Sequence, residues 1–151
     1  MTFETEGERL LFASWKTADD LRKAFPYIGD LLEGEFGLDG SGQPKFNVYE
    51  NGRVVSRNLV QFAVPPIKNP TVGIILPGRY EFPTGDNTET LTILEGNLEA
   101  FVDRGPISIL KRYGTIVAPA GTILNLRVQT HDPVFYVCIY TPRKVQAGET
   151  R

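Results

Sequence analysis

Short apolar runs cut by turn-forming residues fill the chain from Phe46 to Tyr140. Arg53–Phe62, Thr71–Leu76, Arg79–Phe82, Glu89–Leu94, Asn97–Asp103, Ile107–Lys111, Thr115–Val117, Ile123–Thr130 and Val134–Tyr140 each predict a β-strand. Between them stand Pro65-Pro66, Asn69-Pro70, Pro77-Gly78, Gly85-Asp86, Glu95-Gly96, Arg104-Gly105-Pro106, Gly114, Pro119-Ala120-Gly121 and Asp132-Pro133. Glycine and proline punctuate in this way because they supply backbone angles that strands cannot use. No helix-length pattern interrupts the run, so an all-β sandwich or barrel is expected rather than a parallel sheet with crossover helices. Glu95-Gly96-Asn97 joins two apolar runs tightly and predicts a hairpin turn.

Residues 1–45 carry a different pattern and form an N-terminal extension ahead of the barrel at 46–140; a polar tail follows at 141–151. Thr17 before Ala18-Asp19-Asp20 suits a helix N-cap with acid in the first turn. Leu21, Phe25, Ile28, Leu31 and Leu32 recur at helical spacing, so one short amphipathic helix is expected, broken or restarted at Pro26. It should dock on the barrel or on a partner subunit. The glycines between Gly37 and Pro44 read as a flexible linker.

Composition narrows the function. A chain of 151 residues with 41% hydrophobic content suits one domain with a single core. The net charge of −2, with no Lys/Arg block, lacks the footprint of a nucleic-acid or anionic-membrane binder. Apolar runs such as Ile74–Leu76 are too short to cross a bilayer. Acid in the opening Met1-Thr2-Phe3-Glu4-Thr5-Glu6 speaks against a signal or transit peptide. Cys138 is the single cysteine, which excludes an internal disulfide and suits a reducing, cytoplasmic setting.

Gly78, Glu89, Gly96, Gly114, Pro119 and Gly121 stand in an order that resembles the two motifs of cupins. The resemblance implies a one-barrel jelly-roll fold. The cupin histidine positions fall on Thr84, Asp86 and Leu124, and the interval from Gly114 to Pro119 is one residue short. A metal site needs several imidazoles or carboxylates converging on one ion. Only Asp86 and Glu89 survive at ligand positions, and the single histidine, His131, lies in a turn. No metal and no other cofactor is therefore expected.

A closer resemblance covers residues 47–140. Asn47–Ser56, Val72–Phe82, the segment Glu89-Thr-Leu91-Thr92-Ile93-Leu94-Glu95-Gly96-Asn97-Leu98, and Tyr136-Val137-Cys138-Ile139-Tyr140 resemble, in order, segments of the small cupin-type pyrimidine/purine nucleoside phosphorylases. That family consists of compact homodimers that split nucleosides with phosphate into a free base and ribose 1-phosphate. The resemblance thus implies nucleoside and phosphate as substrates. Arg79 stands where the family usually has glutamate, Ala120–Leu124 replaces a more polar loop, and the extension is foreign to short bacterial members.

Strand alternation assigns faces. In a cupin the motif-one glutamate points inward, so Glu89, Leu91 and Ile93 face the interior, and by parity so do Tyr80, Phe82, Thr84 and Asp86. On the closing strand Tyr136, Cys138 and Tyr140 face in, with Phe135, Val137 and Ile139 out. A strand apolar on both faces is expected to be covered on both sides, as a homodimer seam would do. Phosphorolysis needs donors for phosphate, an acceptor for ribose hydroxyls and an aromatic face for the base. Glu89 and Asp86 are the candidate catalytic carboxylates. Tyr80, Phe82, Thr84, Arg79, Arg127, Tyr136 and Tyr140 are the candidate substrate-binding residues, with Lys111 and Arg112 as further cations. Each also has a plain structural reading. Asp86 can cap its turn, the aromatics can be core, Arg79 and Arg127 point outward by parity, and Cys138 reads as a small buried hydrophobe. The alternatives are a metal-free cupin that binds a small polar metabolite without turnover, or a filled barrel that only interacts.

Overall fold

A computed structural model describes residues 3–15, 18–24, 35–60 and 69–143. Every strand expected from Arg53 onward is present, as β3 (Val54–Val60), β4 (Thr71–Ile75), β5 (Gly78–Pro83), β6 (Asn87–Glu95), β7 (Leu98–Val102), β8 (Ser108–Leu110), β9 (Thr115–Ala118), β10 (Ile123–Val128) and β11 (Val134–Pro142). Two shorter strands precede them, β1 (Glu35–Phe36) and β2 (Asn47–Tyr49). The chain is an all-β jelly-roll barrel with a helical extension, made from a 7-stranded sheet in the order β1-β3-β4-β11-β6-β9, with β2 also on β3, and a 4-stranded sheet in the order β5-β10-β7-β8.

The tight turn at Gly96 is not a hairpin. β6 has both edges taken, by β11 and by β9, so β7 crosses to the other sheet and pairs with β10 and β8. Gly96, at φ +100°, turns this corner with its backbone against Pro133 and Val134. A local turn signal reports a reversal of the chain; which strands then pair depends on the free edges available.

The barrel interior holds Val54, Ile75, Tyr80, Leu91, Ile93, Leu98, Leu124, Leu126, Val134 and Tyr136 in one packed cluster. A second cluster lies on the outer face of the large sheet, where Val55, Leu59, Val72, Ile74, Phe135 and Val137 meet Leu11, Trp15 and Leu21 of the extension. The outward face of β11 is thus covered by the chain's own N-terminus, with the Trp15 and Phe135 rings 5.2 Å apart and edge to face. The double coverage expected of a subunit seam is supplied in cis.

The extension contains a helix that periodicity missed. α1 (Glu6–Ser14) starts at Thr5, whose hydroxyl accepts from the Glu8 backbone N–H at 3.2 Å and donates to the Glu8 carboxylate at 2.7 Å. This reciprocal cap starts a helix whose apolar stripe is only two turns long. α2 (Ala18–Ala24) begins where the expected helix did; Thr17, Pro26 and the apolar positions from Phe25 to Leu32 lie outside the described residues.

The expected linker is a closed loop. Asp39 accepts from the Ser41 and Gln43 backbone N–H groups at 2.8 and 3.0 Å, and Leu38 bridges Pro44. Beside it Arg57, 2% exposed on β3, lies over the Phe36 ring at 4.4 Å and the Phe46 ring at 5.6 Å. Its guanidinium donates to the Gly37 carbonyl at 3.3 Å. Burial lowers its pKa to about 10, which leaves it cationic at neutral pH. The guanidinium between two rings ties this loop to the sheet.

Candidate functional site

One end of the barrel is packed and the other holds a cavity of about 220 Å³. Inward positions of β3, β5, β6, β10 and β11 line it, as period-two alternation requires. Glu89 and Leu91 come from β6, Phe82 and Pro83 from β5, Ser56 from β3, Leu124 and Leu126 from β10, and Tyr136, Cys138 and Tyr140 from β11. Tyr49 of β2, 48% exposed, meets Phe82 edge to face at 6.1 Å between the large sheet and the edge strand of the small one. These two rings form the aromatic rim of the cavity.

Glu89 is half-buried; among the described lining residues it is the one carboxylate, and none of them is an arginine, lysine or histidine. Its cross-strand partner is Tyr140, whose phenol shares a 3.0 Å hydrogen bond with Thr71 Oγ1. Burial is the main cause that pushes the Tyr136 and Tyr140 phenols above their ordinary pKa, and the charge of Glu89 adds to it. Both phenols stay protonated at neutral pH. The cavity therefore offers one acceptor carboxylate beside neutral hydroxyl donors and aromatic faces.

The sequence candidates divide. Phe82, Thr84, Glu89, Tyr136 and Tyr140 come together around the cavity. Tyr80 is interior but belongs to the packed end, stacked on Phe82 with its hydroxyl donating to the Leu76 carbonyl at 2.7 Å. Thr84 is committed to the fold. Its Oγ1 shares its proton between the Pro119 and Thr122 carbonyls at 2.8 and 3.1 Å and accepts from the Thr122 N–H at 3.0 Å. It ties the Pro119–Thr122 loop over the end of β5.

Asp86 is not interior: it is exposed in the turn after Gly85, which has φ +64°. Parity carried along β5 fails at that glycine, because a left-handed residue breaks the alternation. Arg79 and Arg127 are cross-strand neighbours on the outer face of the small sheet, where Arg127 lies 3.8 Å from Glu99. Lys111 and Arg112 are exposed, with Arg112 over the Tyr113 ring. Tyr49 and Ser56 also line the cavity and are not among the sequence candidates. The signal for Ser56 was present, as a small polar residue at an inward position two beyond Val54.

The surviving cupin ligand positions do not fit a metal. Thr84 is engaged by carbonyls, Leu124 is apolar, Asp86 is exposed in its turn, and Glu89 is the one of the four that brings a carboxylate to the cavity. No group of three or more His, Cys, Asp or Glu side chains converges among the described residues. No helix among them is long and apolar enough to cross a membrane.

Comparison with known proteins agrees with the barrel fold. The family model for pyrimidine/purine nucleoside phosphorylase matches residues 44–140. A protein of that name from Wolinella succinogenes is 37% identical over 97 residues, covering 64% of this chain and 87% of the relative. One from Hahella chejuensis is 33% identical over 97 residues, covering 64% and 97%. Among solved structures, a protein of unknown function from Vibrio parahaemolyticus superposes with TM-score 0.55 at 25% identity over 63% of this chain and 95% of its own. The Schizosaccharomyces pombe Cnp3 cupin domain superposes with TM-score 0.54 at 17% identity, over 64% and 63%, a likeness of fold.

Proposed function

The chain belongs to the pyrimidine/purine nucleoside phosphorylase family, and from that premise we propose that it cleaves nucleosides with phosphate, releasing a free base and ribose 1-phosphate. The observation that carries this reading is Glu89. It is a single carboxylate set among aromatic rings and neutral hydroxyls in a half-enclosed cavity of the family-matched barrel.

In the reaction a phosphate oxygen bonds to C1′ as the C1′–N bond breaks, and the base leaves with the bonding pair and takes up a proton. Positive charge grows on the sugar as the bond stretches. Glu89 accepts hydrogen bonds from the ribose hydroxyls and stabilises that charge, an effect of a few kcal/mol in a water-poor site. Tyr136 and Tyr140, kept protonated, can donate to the departing base, and Tyr49 with Phe82 offers it an aromatic rim. Arg79 and Arg127 stand outside the barrel, so phosphate in this reading enters at the rim and meets hydroxyl donors there. A cytoplasmic homodimer belongs to the same reading.

Purified protein incubated with a panel of nucleosides and phosphate should release base, detected by chromatography, and should release none without phosphate. The charge of the lining favours a second reading: a cavity with one carboxylate and no described cation suits a neutral polar metabolite, bound without turnover. Saturable nucleoside binding with no base released across the whole panel would select it.

A further inference from the structure

The aromatic rim of the cavity rests on a turn whose conformation is unusual for its sequence. Tyr49 ends β2 in extended backbone, and Glu50, Asn51 and Gly52 then take φ of +51°, +56° and +86° before Arg53 returns to right-handed angles. The left-handed region brings a side chain's Cβ close to the following carbonyl oxygen, so it suits glycine and tolerates asparagine. Glutamate gains neither advantage. Two successive residues with side chains hold this conformation only where their surroundings over-determine it.

Two sets of contacts supply that constraint. On one side Arg53 closes the turn, its backbone N–H donating to the Glu50 carbonyl at 3.1 Å and its Nε donating to the Tyr80 hydroxyl at 3.3 Å. Tyr80 stacks on Phe82, and Phe82 meets Tyr49, so the turn and the rim form one closed circuit. On the other side stands the start of α1. Gly52 is buried there, and a Cβ added to it would lie 2.4 Å from Thr5 Cγ2. A Cβ added to Gly7 would lie 2.4 Å from the Gly52 carbonyl oxygen and 2.7 Å from Val55 Cγ2. Thr5 is itself fixed by its reciprocal cap with Glu8. The family match begins at Pro44, and the Hahella chejuensis relative is spanned to 97% of its length by its match, which leaves that relative no counterpart of α1. The second support is an addition of this chain to a shared barrel.

We infer that α1 is a positioning element for the cavity: Thr5 and Gly7 hold the left-handed turn Glu50–Gly52 in place, and the turn fixes Tyr49 at the rim. Neither Thr5 nor Gly7 lines the cavity; they act through Tyr49. The extension thereby sets how firmly the aromatic rim is presented to a base, which makes its docking a control on nucleoside affinity. That last step rests on the nucleoside reading above, whereas the link from α1 to the rim stands on packing alone.

The test uses the full chain. Gly7→Ala lifts α1 from the turn and changes no residue of the barrel. Amide exchange over residues 47–54 should quicken by about tenfold, while β6 and β11 keep their wild-type rates. Thr5→Ser keeps the cap hydroxyl and removes only the methyl group against Gly52; it should quicken the same segment by about threefold with an unchanged melt. With adenosine, uridine and phosphate as probes, Gly7→Ala should raise the nucleoside KM about tenfold and leave kcat within about twofold, the mark of lost binding that is equal in ground and transition states. Tyr49→Ala should raise KM likewise, and Gly7→Ala added to it should raise it little further, because both changes remove the same contact. Unchanged exchange over residues 47–54 in Gly7→Ala and Thr5→Ser would overturn the inference. So would a wild-type KM in Gly7→Ala, or losses that simply add in the double variant. A wild type that releases no base from either nucleoside would defeat the proposed activity instead, and exchange by itself would then decide the link between α1 and the rim.

Discussion

The ring of Tyr136 lies directly against the backbone of Gly73, its cross-strand partner, so that a Cβ built on Gly73 would come within 2.5 Å of the Tyr136 Cζ and Oη atoms. β4 thereby gives up a side chain so that β11 can lay a phenol along the cavity wall. The same strand holds Phe135 against Trp15 on its other face, and the pairing of β11 with β6 shifts register between Phe135 and Tyr136. Packing on the two faces of β11 sets where the phenol stands.

Gly73→Ala should destabilise the protein by about 1–3 kcal/mol, the usual cost of forcing an atom into a filled core. Gly73→Ala/Tyr136→Ala should recover part of that loss, because the second change removes the atoms that the first one strikes. Chemical denaturation of both single variants and the double variant measures the coupling. Strictly additive losses would show that the ring does not depend on the glycine.

Glu89→Gln keeps the size of the side chain and removes its charge. Phosphorolysis should fall by about 10²-fold or more with the fold intact. Steady-state kinetics alongside a thermal melt separates the two effects. Full activity in the folded variant would move the chemistry away from Glu89.

Arg79→Ala and Arg127→Ala act on the outer face of the small sheet. Each should leave phosphorolysis within about twofold of wild type, since neither guanidinium reaches the cavity. The loss of the partly exposed Arg127–Glu99 pair should cost about 0.5 kcal/mol of stability. A tenfold rise in the KM for phosphate in either variant would put the phosphate site on this outer face.

Thr84→Val removes a hydroxyl that donates to two carbonyls and accepts from one backbone N–H. It should cost about 1 kcal/mol, because the part-buried Thr122 N–H loses its acceptor, while the Pro119 and Thr122 carbonyls keep the Thr122 hydroxyl and the Thr84 N–H as donors. Amide exchange in the Pro119–Thr122 loop should quicken more than exchange in β11. Equal protection in the variant and the wild type would show that the hydroxyl is dispensable.

The buried phenols make stability depend on alkaline pH. Tyr136 and Tyr140 ionise above the ordinary value of 10.0 in the folded state and near it once unfolded. The folded chain therefore holds more protons between those two values, and stability must fall as pH rises above about 10. Below that pH the contribution is present in full. Denaturation midpoints from neutral pH upward should decline less steeply in Tyr136→Phe/Tyr140→Phe than in wild type. Identical slopes would show that neither phenol is held protonated by the fold.

Much of the barrel was legible in the sequence, because strand formation and strand facing follow from local pattern. Val54, Ser56, Glu89, Leu91, Tyr136 and Cys138 face the interior as a period of two requires, and glycine with proline marks the strand ends. The lost ligand set was equally legible, since Thr84 and Leu124 can be recognised at motif positions one residue at a time. The tertiary structure alone decided what depends on groups distant along the chain. Gly96 turns a corner between sheets because β11 and β9 already hold both edges of β6. Asp86 leaves the interior because Gly85 reverses the backbone, and Arg57 is buried because Phe36 and Phe46 close over it. The outer face of β11 was read as apolar from its residues, but that Trp15 rather than a partner covers it is a matter of which surface lies within reach. Periodicity records that a side chain must be buried; three-dimensional packing determines what buries it.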